Sequence, residues 1–331
     1  MENRVTTLFG IEKPVFMAGM VYICDSTLAA AVANAGGLGL LGISSNVDKP
    51  EPDPVKTGEN FRSEIRRFRE LAPGKPLAVN YIPSIPTFEA KLNYSDVILK
   101  VMLEEKVEVA QITSQIDLFD IKRDIETFKN AGIKVMYREL RPTVESCKKA
   151  AEYGADAIIV TGCEAGGHIP GNNMSLMSIL PQVREALPDF PIIAAGGMID
   201  ERSAKAAALL GADGAYVGTA LMIAEECRTH PNYKKVICET KGEDLITWAS
   251  SAPNTKMVTT ANRNGLVCES LSHAKIDTTI LSTYYNGTWD KSLLQGDVEN
   301  GCVTFNSSVG ALTTVKPAKE FVDDIAKGFG F

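Results

Sequence analysis

The first two-thirds of the chain alternates short apolar, β-branched runs with longer stretches in which apolar positions recur at a helical spacing. The apolar runs predict strands at residues 15–19, 38–42, 77–81, 107–112, 133–137, 157–160, 192–195 and 215–218. Strand–helix alternation of this kind is typical of a parallel sheet. Eight such units in about 225 residues predict an α/β fold of the (β/α)8 TIM-barrel type.

The stretches between the runs predict helices at residues 27–35, 60–70, 95–105, 117–130 and 142–153, with Ser26 as the candidate N-cap of the first. A doubly wound open sheet is the alternative fold. It is disfavoured because no G-x-G-x-x-G motif follows the first strand, and no acidic residue stands at the later position that binds ribose.

The alternating pattern breaks after Glu225, and residues 227–290 are mixed and polar. We therefore expect a barrel over residues 1–226 and a small lid or substrate subdomain inserted over residues 227–290. Residues 291–331 regain helical character, with a closing helix at 317–327, and are expected to pack back on the barrel.

Composition narrows the classes of function. The 331-residue chain has a net charge of -7, which gives no electrostatic case for binding nucleic acid or an anionic membrane. Its seven cysteines form no C-x-x-C pair, so we expect reduced thiols and no metal site. Without a signal core or a run of roughly 18 apolar residues, the expected location is the cytoplasm. The expected partner is a small-molecule substrate, and the sequence leaves open whether the chain forms a homodimer.

Glycine-rich turns follow the predicted sixth, seventh and eighth strands. They are Gly162-Cys-Glu-Ala-Gly-Gly-His168, Ala195-Gly-Gly-Met198 and Gly218-Thr219. Glycines let backbone N–H groups approach an anion, helix N-termini favour negative charge, and barrels bind ligands at the carboxyl ends of their strands. One glycine pair alone would more often be a tight turn, but three in successive units predict a phosphate site.

Other strand ends carry polar or small residues. His168 is a candidate general acid, because its pKa lies near neutrality; a lone histidine is more often structural, but its place after the glycine pair favours catalysis. Asn80 and Gln111 carry amides that can donate and accept at a heterocycle. Arg138 and Glu139 follow the fifth strand, and form either an ion pair at the barrel mouth or a substrate contact.

These residues resemble the nitronate monooxygenase (2-nitropropane dioxygenase) family, which includes the flavin-dependent type-II enoyl-acyl carrier protein reductases. The resemblance runs from about residue 5 to residue 325, and Glu-Ala-Gly-Gly-His is its most specific motif. The motifs are Pro14-Val-Phe-Met-Ala-Gly-Met20, Ala35-Gly-Gly-Leu-Gly39, Val79-Asn80, Glu164-Ala-Gly-Gly-His168, Ala194-Ala-Gly-Gly197 and Val217-Gly-Thr219.

The resemblance implies that the chain is an FMN enzyme with His168 as its catalytic histidine. The FMN phosphate would rest on Gly166, Gly167, Gly196, Gly197, Gly218 and Thr219. The flavin ring would lie near the loop after the first strand and near polar side chains inside the barrel. The remaining cofactor contacts implied are Ala18, Gly19, Met20, Asn80, Gln111 and Ala165.

Two branches of the family imply different reactions. Nitronate monooxygenases oxidise alkyl nitronates with O2, whereas the reductases pass a hydride from NAD(P)H, the co-substrate, through the flavin to an enoyl thioester. The motifs His230-Pro-Asn-Tyr-Lys234 and Gly296-Asp-Val-Glu-Asn-Gly301 resemble the reductases, and the second also resembles some monooxygenases. Arg138 and Glu139 suit a small polar substrate better than an acyl tunnel.

We therefore expect nitronate monooxygenase-like or NAD(P)H:flavin oxidoreductase activity. The alternative is an NAD(P)H- and FMN-dependent enoyl-acyl carrier protein reductase. The alternative of another class is a phosphate-binding isomerase or lyase on the same barrel.

Overall fold

A barrel of eight parallel strands forms the centre of the computed structural model, which describes residues 3–42, 44–49, 51–83, 94–117, 119–249, 261–266 and 287–331. The barrel strands are β1 (Val15–Met17), β2 (Gly39–Leu41), β3 (Leu77–Tyr81), β4 (Val109–Ser114), β5 (Lys134–Glu139), β6 (Ala157–Thr161), β8 (Ile192–Ala195) and β9 (Gly214–Val217); β7 (Gly167–Pro170) lies in another sheet. The strands pair in the order β1-β9-β8-β6-β5-β4-β3-β2, and a parallel bridge between Phe16 and Leu38 closes the barrel, so the predicted fold class is confirmed.

Helices surround this barrel. They are α1 (Arg4–Phe9), α2 (Ser26–Asn34), α3 (Pro54–Leu71), α4 (Tyr94–Glu104), α5 (Ile121–Asn130), α6 (Val144–Glu152), α7 (Leu176–Ala186), α8 (Glu201–Leu209), α9 (Thr219–Met222), α10 (Pro231–Glu239), α11 (Trp289–Leu293) and α12 (Ala318–Gly328). Every residue of the barrel strands is buried except Lys134 and Arg138, which explains why apolar residues dominate these strands. None of the helices in the described ranges is long and apolar enough to cross a membrane.

Capping sets where the helices begin. The side chain of Asp25 accepts the N–H of Leu28 at 3.0 Å and caps α2, so the prediction of Ser26 as the cap is wrong by one residue. Ser26 is instead the first helical residue, and its N–H donates to the buried carboxylate of Glu64 at 2.8 Å. Helix α3 begins before its predicted start because Asp53 caps it and proline occupies its first turn.

A second, antiparallel sheet lies where β6 ends. Its central strand β11 (Ala261–Leu266) pairs with β10 (Ile246–Ala249) on one edge, and with β7 and β12 (Val303–Thr304) on the other. The glycine motif after β6 was predicted as a turn, and it runs directly into β7. The sheet also joins parts of the predicted lid and C-terminal segment, and α11 crosses their predicted boundary at residue 290. Residues 250–260 and 267–286 of the predicted lid lie outside the described residues.

Helix α12 closes the fold near its predicted position and packs on α8 and α2. Its buried residues follow the spacing of one helical face. They are Ala318, Phe321, Val322, Ile325 and Ala326. The C-terminal end of α12 packs closely against the start of α8, since a Cβ on Gly328 would lie 2.6 Å from the carbonyl oxygen of Glu201.

The contact between β2 and α2 generates a stability prediction. A Cβ on Gly39 would lie 2.1 Å from the carbonyl oxygen of Ala29. Because the contact is with the backbone of α2, no side chain can move aside to relieve it. We expect Gly39→Ala to lower the free energy of unfolding by about 1–3 kcal/mol, the usual scale of overpacking, in urea titrations. Gly310→Ala is the matched control, because its Cβ would have its nearest neighbour at 3.6 Å. Equal losses in the two variants would contradict this account.

Candidate functional site

A cavity opens at the carboxyl ends of the barrel strands, with an empty volume of about 920 Å³ that includes its mouth. Loops after β1, β6, β8 and β9 form one part of its wall, and residues of β5, α10, α11 and the segment from β12 form the rest. Most of the predicted site residues line it: Ala18, Gly19, Met20, Arg138, Ala165, Gly166, Gly167, His168, Gly196, Gly197, Gly218 and Thr219. Asn80, Gln111 and Glu139 do not.

The glycine turns contribute backbone to the cavity wall. Gly167, Gly196 and Gly197 have φ values of 67°, 107° and 72°, in the left-handed region that favours glycine. The first two turns touch, since a Cβ on Gly196 would lie 3.1 Å from the backbone nitrogen of Ala165. A wall made of backbone is what an anion site built from N–H groups requires.

The two helices that follow the second and third turns begin differently. Asp200 caps α8 by accepting the N–H of Ser203 at 2.8 Å. Helix α9 begins after Gly218, which makes no side-chain capping bond. An anion beside Thr219 would therefore occupy the place of the absent cap. The three glycine turns (residues 162–168, 195–198 and 218–219), called the cradle below, offer the backbone-lined wall that a phosphate group can use.

Glu164 shapes the first glycine turn. Its carboxylate oxygens accept the N–H of Leu176, the first residue of α7, at 3.1 and 3.0 Å. Its carbonyl accepts the N–H of Ser307 at 3.0 Å. Glu164 is absent from the cavity wall, so it orients the turn rather than facing a ligand.

His168 and Arg138 meet on the cavity wall. The His168 ring packs edge-to-face on Trp289, with ring centroids 5.8 Å apart. Arg138 donates to the hydroxyl of Thr161 at 3.1 Å and to the carbonyl of His168 at 3.2 Å. Burial lowers the pKa of Arg138, but a guanidinium stays charged at neutral pH. No acidic side chain among the described residues forms an ion pair with it.

Glu139 lies on the other face of β5, because successive strand residues point to opposite sides. Its carboxylate accepts the N–H of Ile116 at 2.9 Å, the N–H of Arg141 at 3.1 Å and the hydroxyl of Tyr137 at 3.0 Å. Burial raises the pKa of Glu139, and these hydrogen bonds oppose the shift. The placement of Glu139 beside Arg138 as a substrate contact is therefore corrected: Glu139 ties two loops together behind the barrel wall.

Asn80 and Gln111 belong to a hydrogen-bonded chain beneath the cavity. The N–H of Gly19 donates to the Tyr216 hydroxyl at 2.8 Å, and that hydroxyl donates to Gln111 Oε1 at 2.8 Å. Gln111 Nε2 donates to the Thr113 hydroxyl at 2.7 Å, which donates to Asn80 Oδ1 at 3.2 Å. Burial raises the pKa of Tyr216 to about 12, so its hydroxyl keeps its proton. These amides fix the loop after β1.

Sequence patterns missed several cavity residues. Tyr216 is the one large aromatic residue in its strand, and it directly precedes the Val217-Gly-Thr219 motif. This position could have indicated that Tyr216 belongs to the site. Trp289 and Asn306 reach the cavity from the C-terminal part of the chain. Nothing local in the sequence marks either one, because long-range packing places them there.

The two motifs that resemble the reductases pack against each other. Gly296 has a φ of 73°, and a Cβ there would lie 2.1 Å from Nδ1 of His230. Asn232 Nδ2 donates to the carbonyl of Gly296 at 3.2 Å. Tyr233, from the first motif, lines the cavity. The motifs therefore build one structural unit beside the site.

The fold and the cavity define a (β/α)8-barrel protein whose cavity opens at the carboxyl ends of the strands, where barrel enzymes have their active sites. The chain belongs to the nitronate monooxygenase family, which it matches over residues 2–328. This membership confirms the resemblance seen in its motifs, and it makes the chain an oxidoreductase of a flavin-dependent family.

The chain is similar to relatives with different names. One is (3aS,4S,5R,7aS)-5-hydroxy-7a-methyl-1-oxo-octahydro-1H-indene-4-carboxyl-CoA dehydrogenase of Rhodococcus jostii, 26% identical across 98% of this chain and 95% of the relative. Nitronate monooxygenase of Neurospora crassa is 25% identical across 95% of this chain and 88% of that protein. The solved structure of FabK from Thermotoga maritima superposes with a TM-score of 0.81 at 28% identity, covering 99% and 96% of the two chains.

The hydrogen-bonded chain below the cavity generates a second prediction. Tyr216→Phe removes the partner of both the Gly19 N–H and Gln111 Oε1. Buried groups left without partners should lower the free energy of unfolding by about 1–3 kcal/mol in urea titrations. Tyr94→Phe is the control, because that hydroxyl donates to Glu51 from a side chain that is 37% exposed. A Tyr216→Phe variant as stable as this control would show that these hydrogen bonds do not contribute to the free energy of unfolding.

Proposed function

We propose that the protein is an FMN-dependent oxidoreductase that oxidises a small anionic substrate of the nitronate type with O2. The observation that carries this proposal is Arg138, a cation on the cavity wall with no acidic partner among the described residues. It lies next to His168, the candidate catalytic residue. A buried cation of this kind favours an anionic ligand over a neutral one.

The cradle fits the terminal phosphate of FMN. The backbone of Phe305 and Asn306 passes over Gly166, where a Cβ would lie only 2.5 Å from Phe305. This cover supports a ligand whose phosphate is its end, whereas FAD would need room beyond it. Gly166, Gly167, Gly196, Gly197, Gly218 and Thr219 would hold the phosphate. The loop of Ala18, Gly19 and Met20 offers backbone and small side chains to the ring.

The chain's own residues would handle the substrate. FMN, when bound, supplies the oxidation–reduction chemistry. Arg138 would stabilise the negative charge of the substrate, and the Trp289 ring would hold the His168 imidazole in place. His168 would then donate to, or stabilise, that anion as it reacts. Ala165 and Gly19 would lie at the cofactor, while Asn80 and Gln111 position the loop that carries Gly19.

Reduction of an enoyl thioester with NAD(P)H is the second candidate function. The cavity wall includes the apolar side chains of Met222, Leu293 and Trp289, which suit an acyl chain. Similarity over nearly the whole chain to FabK supports this reaction, and similarity to a carboxyl-CoA dehydrogenase supports a thioester substrate. The isomerase or lyase alternative lacks support, because the described cavity wall contains no Lys, Asp or Glu and the chain belongs to an oxidoreductase family.

The role of His168 is tested by substitution. His168→Ala should keep the yellow FMN spectrum while turnover falls by at least about 10²-fold, the usual scale for acid–base groups. His230→Ala is the matched control, because that histidine caps α10 and is absent from the described cavity wall. Unchanged turnover in His168→Ala would remove His168 from the mechanism.

The substrate class is tested with two assays on FMN-loaded protein. We expect turnover of propionate 3-nitronate in air, with a KM that rises about 10-fold or more in Arg138→Met, because a charge-assisted contact is lost. The exposed Arg141→Met should leave this KM unchanged. The second assay supplies NADH and crotonyl thioester without oxygen. Reduction of the thioester without nitronate turnover would replace the first function by the second, and a protein that binds no FMN would refute both.

A further inference from the structure

The segment Phe305–Ser308 is held firmly above the cradle. Just before it, the Tyr233 hydroxyl donates to the carbonyl of Thr304 at 3.0 Å and accepts its N–H at 2.9 Å. Phe305 is fully buried and packs edge-to-face on the Tyr233 ring, with centroids 6.3 Å apart. The path of the backbone into the cavity is therefore fixed before it reaches Asn306.

Asn306 lies between the first and third glycine turns. Its backbone N–H donates to the Thr219 hydroxyl oxygen at 3.0 Å, and its carbonyl accepts the N–H of Val309 at 3.3 Å. The next residue, Ser307, donates its N–H to the carbonyl of Glu164 at 3.0 Å. Since the backbone groups of Asn306 are both paired, only its side-chain amide is available to a ligand.

Asn306 lines the cavity, and the oxygen of its side-chain amide is unsatisfied. Asn306 is only 4% exposed, and its Oδ1 has no hydrogen-bond partner among the described residues. A buried acceptor without a partner destabilises a fold, and native structures contain few of them. An acceptor left unpaired at the wall of a ligand cavity indicates a partner that arrives with the ligand.

The donor and acceptor groups of the Asn306 amide determine which part of a ligand can bind there. A phosphate has only acceptor oxygens, so it can satisfy the NH2 group of an asparagine but leaves its oxygen unpaired. A hydroxyl can donate to that oxygen. FMN carries ribityl hydroxyls next to its phosphate, so the junction between them offers both partners at one place.

We propose that Asn306 binds this junction, with Oδ1 accepting from a ribityl hydroxyl and Nδ2 donating to the phosphate. The inference rests on the proposed function, in which FMN is the cofactor. It places a cofactor-binding residue 89 positions beyond Val217, the last residue of β9. The cofactor site is then incomplete within the barrel segment, and the C-terminal segment finishes it.

Flavin binding by the full chain tests the proposal. The dissociation constants of FMN and of riboflavin are measured by flavin fluorescence for the wild type, Asn306→Ala, Asn306→Asp and Ser307→Ala. Asn306→Ala should weaken FMN binding by at least about 10-fold, or about 1.4 kcal/mol. Asn306→Asp keeps the shape and the acceptor but places a negative charge at the phosphate, so it should weaken FMN far more than riboflavin. Ser307→Ala changes a neighbour that is absent from the cavity wall, and should bind FMN within about 2-fold of wild type.

Melting temperatures without flavin separate ligand binding from a structural role. If Asn306 binds the ligand, Asn306→Ala should have the same melting temperature as the wild type when no FMN is present. Added FMN should then raise its melting temperature less than that of the wild type. Wild-type affinity for FMN in both Asn306 variants would overturn the inference and leave the proposed function standing. A loss of flavin-free stability in both variants would also overturn it. Should Asn306→Ala not fold, the isosteric Asn306→Asp decides. A wild type that binds no FMN would instead refute the proposed function itself.

Discussion

Close backbone contact around the first glycine turn is the constraint on which the site depends. On one side, a Cβ on Gly162 would lie 2.1 Å from the Glu164 carboxylate and 2.5 Å from the backbone nitrogen of Leu176. On the other, a Cβ on Gly166 would collide with the backbone of Phe305. The turn is therefore enclosed by α7 and by the C-terminal segment. Because the backbone of Leu176 lies 2.5 Å from the first position and the backbone of Phe305 lies 2.5 Å from the second, a larger residue at either would displace main chain.

This enclosure links distant parts of the sequence. The carbonyl of Glu164 holds Ser307, and the Thr219 hydroxyl holds Asn306, so the first and third turns share one cover. Below them, the Tyr216 hydroxyl connects the loop after β1 to the buried amides of the barrel. Polar groups that are satisfied in a low-dielectric interior specify one arrangement, since any other leaves some of them unpaired. The cavity is preorganised for this reason, before any ligand is considered.

The fold could be predicted because its signals are local. The strands β3 and β8 begin and end at their predicted residues, since apolar runs flanked by proline, glycine or polar residues mark both. The glycine turns were predicted as well, because glycine at a strand end has a direct physical meaning. Strand β7 was not, because its pairing with β11 joins segments that are far apart in the chain. Glu139 was misplaced for a simpler reason: neighbouring strand residues face opposite sides, so a charged pair in sequence is not a pair in space.

The two ends of the cavity differ in what builds them. The end lined by the glycine turns consists mainly of backbone, held by glycine conformations that tolerate few substitutions. The other end consists of side chains such as Arg138, Met222 and Trp289, which come from separate elements. Substitutions of such side chains can change what a site binds while the backbone part of the site stays the same. Arg138 is the informative exception, because it also holds the carbonyl of His168. On the proposed function, a change from an anionic to an acyl substrate would therefore require another group to hold the His168 carbonyl, and not only a wider pocket.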